Sequence, residues 1–209
     1  MFRQQMMAMM VAMLTLFPLT AYADARVTAA GALVDTMISD LETFLATDTG
    51  DESARTAEID RVLNTYFDMD SITRFSAGQY WRAASSEQKT EYGSLFREVL
   101  CGKIVRHFDQ LQGLAYTADA ATAKGDKFVI VSGTFTDTTG QHPAVKVNWR
   151  VLTREGAAPK VFDIEIENLS LLVTQKQENV TVIRKNKGEF VALINAMKGR
   201  LANPAHNDS

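Results

Sequence analysis

The sequence predicts an α+β chain: N-terminal helices, an antiparallel four-stranded sheet, then C-terminal helices. Three observations predict it. Apolar residues recur at steps of three and four through two segments before residue 67 and again from Ser85 to Leu111, which is the period of an α-helix. After Leu114 the period drops to two, the signature of strands with one buried face. Beyond Leu169 the helical spacing returns. No internal repeat or composition break marks a second domain, and 209 residues suffice for one substantial core.

The first segment is set apart. Arg3 and the amino terminus precede an apolar run from Met6 to Leu19, which Pro18 interrupts, and Ala21-Tyr22-Ala23 has the small-x-small pattern of a cleavage site. The run is shorter than the ~20 residues of a membrane span. Residues 1–23 are therefore expected to be a signal peptide cleaved after Ala23, leaving a single domain over 24–203 and a disordered tail at 204–209. No later stretch is apolar enough to span a bilayer, so the exported chain is expected to be soluble.

In the mature chain, Val27 to Leu45 reads as a helix with Val34, Met37, Ile38 and Leu41 on one face, and Gly50 breaks the polar linker after it. A second helix is expected from about Ala54 to Phe67 and a short third one capped by Asp70 or Ser71. Ser85 and Gln88 have the spacing of a capping box and open a long helix whose stripe includes Tyr92, Leu95, Phe96, Val99, Leu100, Ile104 and Phe108, ending near Gly113. Strands are expected at Leu114–Thr122, Lys127–Thr136, Val145–Val151 and Phe162–Glu167, separated by turn signals at Lys124-Gly125-Asp126, Asp137 to Gly140 and Glu155 to Pro159. In the last strand, simple alternation puts Phe162, Ile164 and Ile166 on one face and Asp163, Glu165 and Glu167 on the other, across from Lys146 and Arg150. Helices from Leu169 to about Lys185 and from Phe190 to Leu201 close the chain.

Little of this carries reactive chemistry. His107, His142 and His206 lie far apart in a helix, a turn and the tail, without metal-ligand spacing, and Cys101 is the only cysteine, mid-helix where a small buried side chain fits best. There is no nucleophile elbow, phosphate-binding loop or dinucleotide fingerprint, and no cofactor is expected. A net charge of −3 without a basic patch argues against nucleic acid. Asp68 and Asp70 suit helix caps, and Arg74 and Arg82 are expected to pair with Asp68 or Asp70, the alternative being contact with a phosphate. What remains is apolar surface: a sheet face bearing Phe135, Val147, Trp149, Val151, Phe162 and Ile164, with Leu95, Phe96, Val99 and Phe108 presented by the long helix. Periodicity alone leaves open whether the space between them is filled or hollow.

Two stretches bear on that choice. Phe67, Asp68, Arg74, Gly78, Tyr80, Trp81 and Arg82, followed by Glu87 and Gln88, form the first, and Val161-Phe162-Asp163-Ile164-Glu165-Ile166-Glu167-Asn168-Leu169-Ser170-Leu171 the second. In this order and spacing they resemble the toluene-tolerance family, with Asn168 where that family often has glycine. The resemblance implies a cystatin- or NTF2-like α+β fold with an apolar lipid cavity between sheet and helices. It implies a non-catalytic periplasmic carrier that holds phospholipid tails and exchanges lipid with an outer-membrane lipoprotein–porin complex and an inner-membrane MCE-type ABC transporter. On that reading the lipid-contacting residues are Phe75, Leu95, Phe96, Val99, Phe108 and Phe135, together with Val147, Trp149, Val151, Phe162, Ile164 and Leu171. A hopanoid carrier of a related branch, a surface-binding adaptor with a filled core, and an enzyme with a polar group inside the cone are the alternatives.

Overall fold

The computed structural model describes residues 19–204, so most of the expected leader and nearly all of the expected tail lie outside the described residues. Four helices come first: α1 (Leu19–Thr47), α2 (Glu52–Tyr66), α3 (Met69–Ser76) and α4 (Ser86–Arg106). Five strands follow: β1 (Leu114–Lys124), β2 (Phe128–Asp137), β3 (Val145–Leu152), β4 (Lys160–Ile166) and β5 (Leu169–Ser170). Helices α5 (Leu171–Lys185) and α6 (Phe190–Ala202) end the described chain. The strands pair in sequence order, each antiparallel to the next.

The helix starts follow capping chemistry. Asp51 caps α2 by accepting from the Ser53 and Ala54 amides. Ser85 and Gln88 form the reciprocal capping box, at 3.2 and 3.0 Å. Asp68, rather than Asp70 or Ser71, caps α3 by accepting from the Ser71 amide at 3.1 Å. Its own backbone amide donates to the Val161 carbonyl at 2.9 Å, which ties the start of α3 to β4. The partner of the Asp68 carboxylate is Arg154 at 3.0 Å, not Arg74 or Arg82, because β3 runs out beside the α3 start and brings Arg154 to it.

Helix α1 begins at Leu19, eight residues before the expected Val27, and two further features differ from the periodic reading. The long helix leaves α geometry at His107 (φ −100, ψ 12) and continues as a 3-10 turn over Phe108–Leu111 instead of running to Gly113. That turn drives Phe108 into full burial against Phe44, ring centroids 5.7 Å apart, with the Arg55 guanidinium 4.8 Å above its ring. The sheet has five strands, not four. Glu167 and Asn168 both take positive φ, 50 and 65, making a two-residue hairpin turn. Leu169 and Ser170 then fold back onto Ile166 and Glu165 before the helix begins at Leu171.

β4 also departs from simple alternation. Val151 pairs with Val161 and Arg150 with Asp163, so Phe162 is the extra residue of a β-bulge. Val161 and Ile164 therefore share the face of Trp149, while Phe162 turns the other way, onto Phe75 (5.6 Å) and Phe128 (5.6 Å). The acids on the far face do meet Arg150, which pairs with Glu165 and lies 3.9 Å from Asp163.

The apolar residues form three bodies. Val34, Met37 and Tyr66 from α1 and α2 pack on Val129, Val147, Trp149 and Val161 of the sheet. Tyr92, Phe96, Ile183, Leu193 and Met197 fill the space among α3, α4, α5 and α6. Ile59, Leu63, Cys101, Val105 and Phe108 join α2 to α4. The Cys101 thiol is pushed up from its ordinary range by burial, in keeping with an inert core position. Inside the second body the Tyr92 hydroxyl, fully buried, bonds Ser76 Oγ at 2.6 Å and accepts from Asn179 Nδ2 at 3.0 Å. Desolvation raises the Tyr92 phenol far above its ordinary range, so it stays protonated.

Gly78 follows α3 with φ +61, and a Cβ there would lie 2.7 Å from Val180 Cγ2, a stiff β-branched side chain on α5. Gly78→Ala should therefore lower stability by at least about 1–2 kcal/mol, from left-handed strain plus the clash. Urea unfolding of the variant beside the wild type measures it.

Candidate functional site

The inner face of the sheet is the face turned toward α1 and α2. β3 supplies Val145, Val147 and Trp149 to it, β2 supplies Phe135, and the bulged β4 supplies Ile164 and Ile166. Opposite them stand Met37, Ile38, Leu41 and Leu45 of α1 and Ile59, Val62 and Leu63 of α2. Between the two walls is a cavity of about 240 Å³. Phe67, Ile104, Leu111, Leu114 and Leu171 complete its lining, and Glu42 is the one charged residue on it. One end is closed by buried Met37, Val62, Val147 and Trp149. The other opens past Glu42, partly exposed Leu45 and Val145, and exposed Ile166 and Leu171. Leu169 and Val173, also exposed, continue this apolar rim.

Two polar devices hold the rim in place. Arg55 binds Asp48 at 2.6 Å and Asp109 at 2.7 Å, and so clamps the α1–α2 turn to the 3-10 turn that carries Leu111. The Arg55 contact holds the Asp48 carboxyl below the usual carboxylate range. On the other side, Asp163 is almost fully buried, accepts from Ser170 Oγ at 2.6 Å and from the Leu172 amide at 3.1 Å, and thereby fixes the start of α5. Ser170 itself caps α5 through the Val173 amide at 3.0 Å. Glu167 accepts from the Lys146 amide at 2.8 Å, which pins the hairpin beyond it. Ile166 and Leu171 sit at the rim because these bonds leave that corner a single geometry.

Of the twelve residues expected to touch lipid, Phe135, Val147, Trp149, Ile164 and Leu171 lie on this cavity. Val151 is in the same apolar body but beyond the closed end. Phe75, Leu95, Phe96, Val99 and Phe162 pack instead in the body formed by α3 to α6, and Phe108 in the one beneath Arg55. The reason is the direction of α4, whose stripe meets α2, α3 and α6 rather than the sheet, with Ile104 alone reaching the cavity from it. The opposing wall comes from α1 and α2, whose apolar faces are plain in the sequence. What one-dimensional periodicity lacks is the information that these helices, and not the long one, lie across the strands. Among the described residues no three His, Cys, Asp or Glu side chains converge as a metal site.

The geometry is that of an α+β protein built around a mostly apolar cavity with an apolar rim. Residues 32–199 match the MlaC protein family, and the chain belongs to that family, in accord with the toluene-tolerance resemblance of its two motifs. The structure is also similar to that of a phospholipid-binding protein from Ralstonia solanacearum solved in complex with a phospholipid. The TM-score is 0.71 and the identity 22%, over 83% of this chain and 97% of that one. This likeness places the fold.

The Asp163 corner makes a testable claim. Asp163→Ala removes two hydrogen bonds to a buried carboxylate and the support of the α5 start, and should cost about 2–3 kcal/mol. Hydrogen exchange should rise first at the amides of Leu172 and Val173. Uniform protection there would contradict the role assigned to Asp163.

Proposed function

We propose that this chain is a non-catalytic, soluble periplasmic carrier that holds phospholipid acyl chains in the cavity between the sheet and α1–α2. The observation that supports this most directly is the apolar lining, unbroken save for Glu42 and open at a rim of exposed Ile166, Leu169 and Leu171. Membership of the MlaC family and the phospholipid bound by the structurally similar Ralstonia protein support the same reading. Each methylene removed from water gains about 0.8 kcal/mol, so acyl chains need no charged group to hold them. A phosphate headgroup would lose its hydration in such a lining without a cationic partner, and stays outside the rim.

A cavity of about 240 Å³ open at one end is small beside a diacyl lipid, and in this reading the walls part on loading. Helix α1 is the wall suited to move, since its principal contacts are with β1, β2 and α2 alone. In this reading the carrier collects lipid from one membrane complex and delivers it to another. The two are an outer-membrane lipoprotein–porin complex and an inner-membrane MCE-type ABC transporter. Export by cleavage after Ala23 belongs to the same proposal. Among the described residues no helix is long and apolar enough to cross a membrane.

Native mass spectrometry of the exported protein, with solvent extraction of bound material, tests the proposal. The expected result is a stoichiometric diacyl phospholipid. A hopanoid mass would change the cargo, and a bare chain that takes up nothing from phospholipid vesicles would overturn the carrier reading. Leu41→Trp, which fills the cavity without adding charge, should cut lipid occupancy several-fold while the protein stays folded by circular dichroism.

A further inference from the structure

Glu42 is the one charged residue on the cavity, and none of the contacts that hold the fold uses it. It stands exposed at the open end, beside Ile38, Leu41 and Leu45, which line the apolar space from the same helix. Among the described residues its carboxylate makes no hydrogen bond and no ion pair. An acid on a helix surface ordinarily answers a cation one turn away. Around Glu42 those positions hold Ile38, Ser39, Leu45 and Ala46. The helix dipole favours acids at the N-terminal end, whereas Glu42 lies near the C-terminal end of α1 at Thr47. The other acids of the rim are already engaged. Asp48 and Asp109 share Arg55, at 2.6 and 2.7 Å, and Glu167 accepts from the Lys146 amide at 2.8 Å.

This free charge sits where a headgroup must lie. A lipid that enters tail first leaves its phosphate in water at the rim, because the apolar lining cannot replace its hydration. Among the described residues no Lys, Arg or His lines the cavity, so the phosphate meets no cation there. It meets Glu42 instead, and like charges at short range repel, more so beside an apolar wall than in bulk water. A headgroup with no charge other than its phosphate bears the whole of that repulsion. A headgroup that ends in a primary ammonium lays the cation against the carboxylate and keeps the phosphate turned to water. The contact lies at an exposed edge, where an ion pair is worth a few-fold in affinity. A residue needed only to keep the mouth wet would not discriminate between the two, and Gln would serve as well.

We infer that Glu42 sets the headgroup preference of the carrier, favouring lipids that bear a primary ammonium, such as a phosphatidylethanolamine, over net-anionic ones such as a phosphatidylglycerol. The inference rests on the carrier reading above and adds the class of headgroup. In the test, mature protein freed of bound lipid is incubated with vesicles of equimolar phosphatidylethanolamine and phosphatidylglycerol with identical acyl chains. The protein is reisolated and extracted, and the two lipids are quantified by mass spectrometry. At low ionic strength the wild type should hold the ethanolamine lipid about two- to fivefold in excess. In Glu42→Gln the ratio should fall to that of the vesicles, and in Glu42→Lys it should invert. Raising the salt should erase the wild-type preference. A wild-type ratio equal to that of the vesicles, or an excess that persists in Glu42→Gln or at high salt, overturns the inference and leaves the carrier intact. Folded wild-type protein that takes up neither lipid overturns the carrier reading and this inference together.

Discussion

One extra residue in β4 sets the arrangement of everything around it. Because Phe162 is bulged out between the Val151–Val161 and Arg150–Asp163 pairs, the strand changes phase in its middle. Val161 and Ile164 face the cavity side, and Phe162 and Asp163 face the helices on the far side. A regular strand would have put Phe162 beside Trp149 and left nothing to fill the gap between Phe75 and Phe128. The same phase change delivers the Asp163 carboxylate to the start of α5. It also leaves the Val161 carbonyl free to accept from the Asp68 amide, which fixes α3. Both family motifs thus converge on one strand, the first through Asp68 and the second through the bulge itself.

The two sides of the sheet end differently for a physical reason. On the far side, α3, α4, α5 and α6 surround their apolar residues completely, and a buried network of Ser76, Tyr92 and Asn179 sets their mutual orientation. Close-packed interiors of that kind have no room to spare. On the near side only α1 and α2 cover a broad face of five strands, and both ends of that cover are pinned elsewhere, by Arg55 at the rim and by the Arg61–Asp40–Tyr66 bonds between the two helices. The helices do not collapse onto the strands, and the space between them is the cavity.

The polar residues of the motifs serve the frame. Asp68, Gly78, Asp163 and Ser170 cap helices, admit a close approach or fix a corner, and none of them lines the cavity. Arg74 and Arg82, expected to pair with the nearby acids, have no ion pair with them, because Arg154 reaches Asp68 first. A motif that looks like a binding signature in the chain is here the set of joints that keeps an apolar space open. Apart from Met37, Trp149 and Glu42, the side chains that face that space are ordinary Val, Leu, Ile and Phe, residues without a distinctive local pattern.

By itself the sequence determined the order of the helices and the first four strands, the capping box at Ser85 and the turn chemistry of the hairpins. These depend on neighbours within a few residues, which the chain carries explicitly. The family, too, was legible, since its motifs are local joints. Only the tertiary structure decided which helices lie across the sheet, the phase change at Phe162, the fifth strand made by the left-handed Glu167-Asn168 turn, and the tightening of the chain at His107. Each of these is set by contacts between residues distant in sequence, to which a periodic pattern is blind. An apolar stripe states that a face is buried. Whether it is buried against another side chain or against a space left for cargo is decided by the elements that stand opposite.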